Sequence, residues 1–292
     1  MPDKPQPWFA LPRHRLVVLE GRDALAFAQA QFMSDLRPLQ PGQWHWSGWL
    51  TPKGRVIALF ALLVRDPETA WLVLHDAEPD AFASALQRFV FRSKVAISVP
   101  GDAVISGALG RSRHGGEPVP DRVATGEELA AMAAPTEALL DMGGEGGGRT
   151  LRISGERGVE DAAAVARWDA FDLRHGLPRL PPSQAEQWTP QQLSLERLRA
   201  FSVKKGCYPG QEIVSRTHFL GKAKRGLVLL EGDTPFEAGS EVRAGDRAIG
   251  TVVSAAGTLA LAVMPLERDD TGLSVGGNPV REQLLLGGLA RP

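Results

Sequence analysis

A single cysteine, Cys207, and a single tyrosine, Tyr208, stand in a chain of 292 residues. One thiol cannot close an internal disulfide, and the reducing cytoplasm is the expected compartment. Net charge is equally scant. The 33 Lys and Arg against 34 Asp and Glu leave −1, so no global field draws the protein to nucleic acid or to an anionic membrane, and neither is expected as a direct partner. No apolar run approaches the roughly 20 residues of a membrane-spanning helix; the longest, Val56 to Val64, reads as a buried strand. The opening MPDKPQPWFALPRHRL has three prolines and no apolar core, so it does not read as a secretory signal. His14, His45, His75, His114, His175 and His218 are scattered without ligand spacing, and no metal site is expected. Gly143 to Gly148 does not complete Gly-x-Gly-x-x-Gly, and no Gly-x-Ser-x-Gly elbow, Walker loop or His-Glu-x-x-His helix occurs.

What is present suits a globular protein: 43% hydrophobic and 23% charged residues, in a length that favours two or three packed units. Residues 16–20 read as a strand, followed by Leu25, Ala28, Phe32 and Leu36 at helical spacing. Trp44 to Leu50 and Arg55 to Val64 predict a hairpin about the turn Thr51-Pro52-Lys53-Gly54. Trp71 to His75 predicts a strand, and Pro79 opens a helix carrying Phe82, Leu86, Phe89 and Val90 on one face. Gly143 to Gly148 reads as a flexible hairpin tip between apolar runs at 138–142 and 150–153. Val165, Trp168 and Phe171 mark a helix stopped by Gly176 and Pro178, and another helical stretch is expected near Leu195, Leu198 and Phe201. From residue 223 onward, short strands at 227–230, 241–243, 248–254, 259–264 and 280–286 predict a small β-barrel or sandwich.

The chemistry concentrates at Lys204-Lys205-Gly206-Cys207-Tyr208-Pro209-Gly210-Gln211-Glu212. Two glycines would permit unusual backbone angles and close approach of a ligand, and the lysines would favour the thiolate. A buried, inert cysteine is the competing reading. Glu212 opens a helix, where it could serve the helix dipole or accept paired N–H bonds from an aminopyrimidine-like ring. Lys204, Lys205, Arg216, Lys222, Lys224 and Arg225 against one acid make a basic run, either a solvated face or a site for a polycarboxylate tail or RNA phosphates. Trp168 is either core or a stacking platform.

The segment from Lys205 to Glu212, with Arg216 four residues on, resembles the signature of YgfZ proteins, the cysteine-bearing relatives of the glycine-cleavage T-protein. The likeness extends over residues 16–36, 51–55, 89–98, 168–178 and the terminal strands. It implies an α+β fold, a three-subdomain cloverleaf around a central folate cavity, with residues 1–222 as the folate-binding region of two interleaved subdomains and 223–292 as a small β-barrel. It further implies tetrahydrofolate, or a one-carbon derivative, as cofactor, iron–sulfur client or assembly proteins as partners, and a role in iron–sulfur cluster maintenance and tRNA thiomethylation. Carried over by residue, the catalytic group would be Cys207, Lys205, Glu212 and Arg216. The supporting motif would be Gly206, Tyr208, Gly210 and Gln211, and the folate contacts Trp168, His14, Lys53 and Arg55. Pro209 stands where relatives more often carry Thr, Val or Ile, and His14 where they carry a second tryptophan. Three functions follow: a folate-dependent accessory factor using Cys207, an aminomethyltransferase, or a noncatalytic folate-binding scaffold.

Overall fold

A computed structural model describes residues 7–110, 113–114, 117–118, 137–221, 223–268 and 272–291. In chain order the strands are β1 (Phe9–Ala10), β2 (His14–Glu20), β3 (Trp44–Leu50), β4 (Val56–Asp66), β5 (Thr69–His75), β6 (Ala96–Ser98), β7 (Val104–Leu109), β8 (Arg113–His114), β9 (Glu117–Pro118), β10 (Ala138–Asp141) and β11 (Arg149–Ser154). After these come β12 (Arg225–Gly232), β13 (Glu241–Ala244), β14 (Arg247–Ala256), β15 (Leu259–Pro265), β16 (Leu273–Val275) and β17 (Asn278–Gln283). The helices are α1 (Ala24–Gln31), α2 (Pro79–Gln87), α3 (Ala162–Arg174) and α4 (Gln211–Phe219).

Three larger sheets organise the chain: a five-stranded sheet in the order β3-β4-β5-β2-β6, a four-stranded sheet β1-β7-β11-β10, and a closed barrel β12-β15-β14-β13-β16-β17. The five-stranded sheet is covered on both faces, which explains the unbroken apolar run of β4. One face, with Val17, Leu19, Phe60, Leu62 and Leu72, packs under Phe27 of α1 and Phe82 and Leu86 of α2. The other, with Leu16, Trp46, Ala61, Trp71 and Val73, shares a core with Leu151 and Ile153 of β11, Trp168 of α3 and Leu229 of the barrel. The mixed α and β composition and the terminal barrel agree with the sequence-based expectation.

Several local expectations are corrected. The first helix ends at Gln31, and Phe32 is extended. Phe89 lies beyond α2 and is 44% exposed, so it meets the buried face only at its edge, through a T-shaped contact with Trp49. The stretch near Leu195 is only a 3-10 turn, Leu195–Leu198, held between Ser194 and Arg199, both in left-handed conformation. Strand β16 had no counterpart in the sequence reading, and the last strand runs 278–283 rather than 280–286. The glycine-rich tip between β10 and β11 is pinned: the Gly146 N–H donates to His175 Nε2, the Glu145 N–H to the Gly287 carbonyl, and the Gly287 N–H to Glu145 Oε2. A Cβ at Gly144 or Gly146 would lie under 3.0 Å from the His175 ring, so packing demands small residues there. Residues 284–291 thus form a strap. The Leu286 N–H donates to the Arg174 carbonyl, Trp46 Nε1–H to the Leu289 carbonyl, and the Arg291 guanidinium to the carbonyls of Asp141 and Gly143.

Candidate functional site

The cysteine loop is built from the turn that precedes it. Ser202 Oγ accepts from the backbone N–H groups of Lys204 and Lys205, and the Ser202 carbonyl accepts from the Tyr208 hydroxyl at 3.0 Å. Lys205 is buried and runs inward, donating from Nζ to the carbonyls of Phe32 at 2.6 Å and Ser34 at 2.7 Å. Burial lowers its pKa to about 7, and its amine lies 5.1 Å from the Tyr208 ring centre. Gln211 completes the clasp by donating from Nε2 to the Lys205 carbonyl. Four side chains, of Ser202, Lys205, Tyr208 and Gln211, therefore fasten the loop, and Cys207 is left exposed as a free thiol at its surface.

This geometry revises the roles read from sequence. The Lys205 charge turns away from the solvent-facing thiol and ties the loop to the segment after α1, leaving Lys204 as the exposed lysine of the pair. Of the two glycines, only Gly210 is required by conformation: φ is +78°, and a Cβ would meet the Thr51 carbonyl oxygen and Gly54 Cα at 2.7 Å. Gly206 has open space at that position and no positive φ. Glu212 and Arg216 pair at 2.7 Å one turn apart on α4, both solvent-exposed, so they make a surface ion pair of small energetic weight. The cysteine is not buried, which excludes the inert-hydrophobe reading.

The β3–β4 turn docks against the same loop. Gly54, at φ +69°, approaches Ile213 and the Gly210 carbonyl, while Arg55 donates from Nη1 to the Gln187 carbonyl at 2.8 Å and to Gln192. Arg55 is thus a brace, and Lys53 is exposed at the tip. Trp168 and His14 form a different group, in the interior. Among the described residues no hydrogen bond, ion pair or ring contact joins that group to the cysteine loop. The expected basic run also disperses. Lys205 is buried, Arg216 is paired, Arg225 donates to the Ile249 and Val263 carbonyls of the barrel, Lys204 and Lys224 are exposed, and Lys222 lies outside the described residues.

Around Trp168 lies a buried ionic network that the sequence reading missed. Arg179 is gripped by Asp76 at 2.6 and 2.8 Å, Asp169 at 2.8 Å and Asp172 at 3.2 Å. Arg149 donates to Asp172 and to the carbonyls of Met142 and Trp168, and Arg13 pairs with Asp169. Burial works against the Arg179 charge, but Asp172 and Asp76 overcome it and hold its pKa above the ordinary value. His14 and His75 pack with ring centres 4.7 Å apart. Burial first, then the neighbouring His75 and arginines for His14 and the arginines for His75, keeps both far below the usual imidazole range. The sequence signal was Asp169 and Asp172 set three apart on an otherwise apolar helix stripe.

These residues do not fit the stacking role that the resemblance assigns them toward a pterin ring. The Arg149 guanidinium lies 4.3 Å from the Trp168 ring centre and 4.2 Å from Phe171, so it occupies a face the pterin would need. Gly107 presses so closely that a single Cβ would sit 3.0 Å from the indole. Among the described residues no cluster of three His, Cys, Asp or Glu could hold a metal ion, and no helix is long and apolar enough to cross a membrane.

Comparison with known proteins agrees with this architecture. Residues 224–284 match the family model for the CAF17 C-terminal beta-barrel domain. The tRNA-modifying protein YgfZ of Vibrio vulnificus strain CMCP6 is 27% identical over 289 residues, covering 92% of this chain and 83% of that protein. YgfZ of Klebsiella pneumoniae strain 342 is 29% identical over 256 residues, covering 82% and 78%. The glycine cleavage system aminomethyltransferase T of Bartonella henselae, at 16% identity, superposes with a TM-score of 0.64 over 97% of this chain and 85% of its own. The chain therefore has the fold of an aminomethyltransferase T, ends in a barrel similar to that of CAF17, and is similar to YgfZ proteins along most of its length.

Proposed function

We propose that this protein is an accessory factor in tRNA modification whose working group is the Cys207 thiol, acting as nucleophile or sulfur ligand in the assembly or repair of iron–sulfur enzymes in the cytoplasm. The observation that carries this reading is the mounting of Cys207. The only sulfhydryl of the chain is exposed, on a loop fastened by Lys205, Tyr208 and Gln211. A cysteine kept for packing would be buried like most free cysteines; a cysteine that reacts needs both access and a fixed position. The YgfZ relatives, named for tRNA modification, support the process in which it works.

In this reading Lys205 and Tyr208 position the loop without touching the reacting partner, and Lys204 is the exposed cation beside it. Tetrahydrofolate binding is a separate proposition with no residue assigned to it. The test is complementation of a strain lacking its own YgfZ, with thiomethylated nucleosides counted by mass spectrometry of digested tRNA. Cys207→Ser should lose most of the restored modification while remaining folded by circular dichroism. Full restoration by a folded Cys207→Ser protein would refute the reading.

A further inference from the structure

Between the five-stranded and four-stranded sheets lies a cleft of about 500 Å³, within the range of small-molecule sites. Its floor is Leu16, Val18 and Trp71, and its rim carries Arg65 beside Glu20, Asp66 and Asp102. None of the residues assigned to the cysteine loop or to the interior ionic network lines it.

Trp71 is the informative side chain. It is 6% exposed, and a buried indole N–H ordinarily has an acceptor. Trp46 donates to the Leu289 carbonyl and Trp188 to Gln184, but Trp71 Nε1–H has no acceptor among the described residues. Nor is it sealed from solvent, as the unpartnered indole nitrogens of Trp44 and Trp49 are, so it opens onto the cleft it helps to line. Arg65 lies over the same ring, its guanidinium carbon 5.2 Å from the centre, and no carboxylate among the described residues forms an ion pair with it. A donor that faces the cleft is served there by water, which a ligand offering an acceptor at that point would displace.

We propose that this cleft binds a ligand of basic amino-acid or short-peptide chemistry, its carboxylate or carbonyl received by Trp71 Nε1–H and Arg65 and its ammonium by Glu20, Asp66 and Asp102. The pattern of charges selects the class. A plain anion would meet three carboxylates, and a plain cation would leave the indole donor and Arg65 without an acceptor. An apolar ligand would satisfy none of them. The aliphatic floor of Leu16 and Val18 suits a methylene chain between the two charged ends.

The experiment is titration of the ¹⁵N-labelled full-length protein with lysine and lysyl-lysine, reading the Trp71 indole cross-peak, assigned by its disappearance in Trp71→Phe. Cadaverine, which lacks the carboxylate, and glutarate, which lacks the ammonium, are the controls. Lysine or its dipeptide should shift the peak saturably, with backbone changes at Ser98 and Gly155. Arg65→Gln and Asp102→Asn, both at the rim, should each weaken binding roughly tenfold, as loss of one charge-assisted hydrogen bond does. The proposal is overturned if no probe gives a saturable shift, if cadaverine or glutarate binds as tightly as lysine, or if the rim variants bind unchanged. Binding of the dipeptide alone would support a peptide segment as the natural occupant, and equal binding of both a free amino acid. Cys207→Ser should leave all these titrations unaltered, which separates this site from the thiol reading.

Discussion

Replacing Lys205 by methionine sets two calculable effects against each other. The amine has a folded-state pKa of about 7 against an ordinary 10.5, so above pH 7 it must give up its proton to stay buried. That costs roughly 1.4 kcal/mol for each pH unit below 10.5, or about 4 kcal/mol near pH 7.5, and methionine removes this cost. In return, methionine leaves the Phe32 and Ser34 carbonyls without their donor, at about 1–3 kcal/mol each. The neutral amine carries two N–H donors for those two acceptors, so deprotonation does not break the clasp. Between pH 7 and 10.5 the unfolded chain holds a proton that the folded one lacks, hence wild-type stability climbs with pH there. Lys205→Met has no such slope. The variant should be close to neutral at pH 7.5 and destabilised by roughly 3 kcal/mol at pH 9.5, as measured by urea unfolding of both proteins at pH 7.5, 8.5 and 9.5. A stability difference that stays flat or shrinks across that window refutes the picture of a buried, largely neutral lysine fastening the loop.

The interior histidines give the opposite limb of the pH profile. With His14 and His75 held far below their ordinary 6.5, the unfolded state takes up protons first as pH drops under 6.5, so stability should fall there by up to roughly 1.4 kcal/mol per pH unit for each ring. His75→Phe should reduce that slope, and an identical slope in variant and wild type counts against it. Arg149→Met should cost roughly 3–5 kcal/mol in chemical unfolding, because Asp172 loses one of its two cationic partners in a buried setting; a loss under about 1 kcal/mol contradicts the network's weight. Calorimetry with tetrahydrofolate should give the same affinity for Trp168→Phe as for wild type, since Arg149 covers that indole. A drop of tenfold or more would mean that Arg149 moves aside for the pterin.

Patterns that depend on near neighbours were legible. The Thr51 to Gly54 turn, the two-faced burial of β4, the stop of α3 at Gly176 and most barrel strands follow from periodicity and turn chemistry, which act over a few residues. The site was legible as a segment and not as an arrangement. Lys205 sits two positions from Cys207 in the chain, yet its amine belongs to Phe32 and Ser34, more than 170 residues away along it. Trp168 on its apolar stripe was correctly readable as core, while the competing stacking role failed on Arg149, an arginine beside a glycine tract with no local mark of burial. The glycine tract itself looked like a free tip because the His175 ring and the terminal strap that pin it lie far off in sequence.

From the amino-acid order alone come the α+β texture, the barrel at the end of the chain, and the loop with the only thiol. These are set by local backbone preference and by which residues must leave water. Tertiary structure decided where the charges go. Asp76, Arg149, Asp169, Asp172 and Arg179 become one buried network only when strands and helices from distant parts of the chain converge. The same convergence draws Lys205 inward and leaves Cys207 outside. Side-chain partners are chosen by proximity in space, and in a chain folded from three sheets that proximity is not written in spacing.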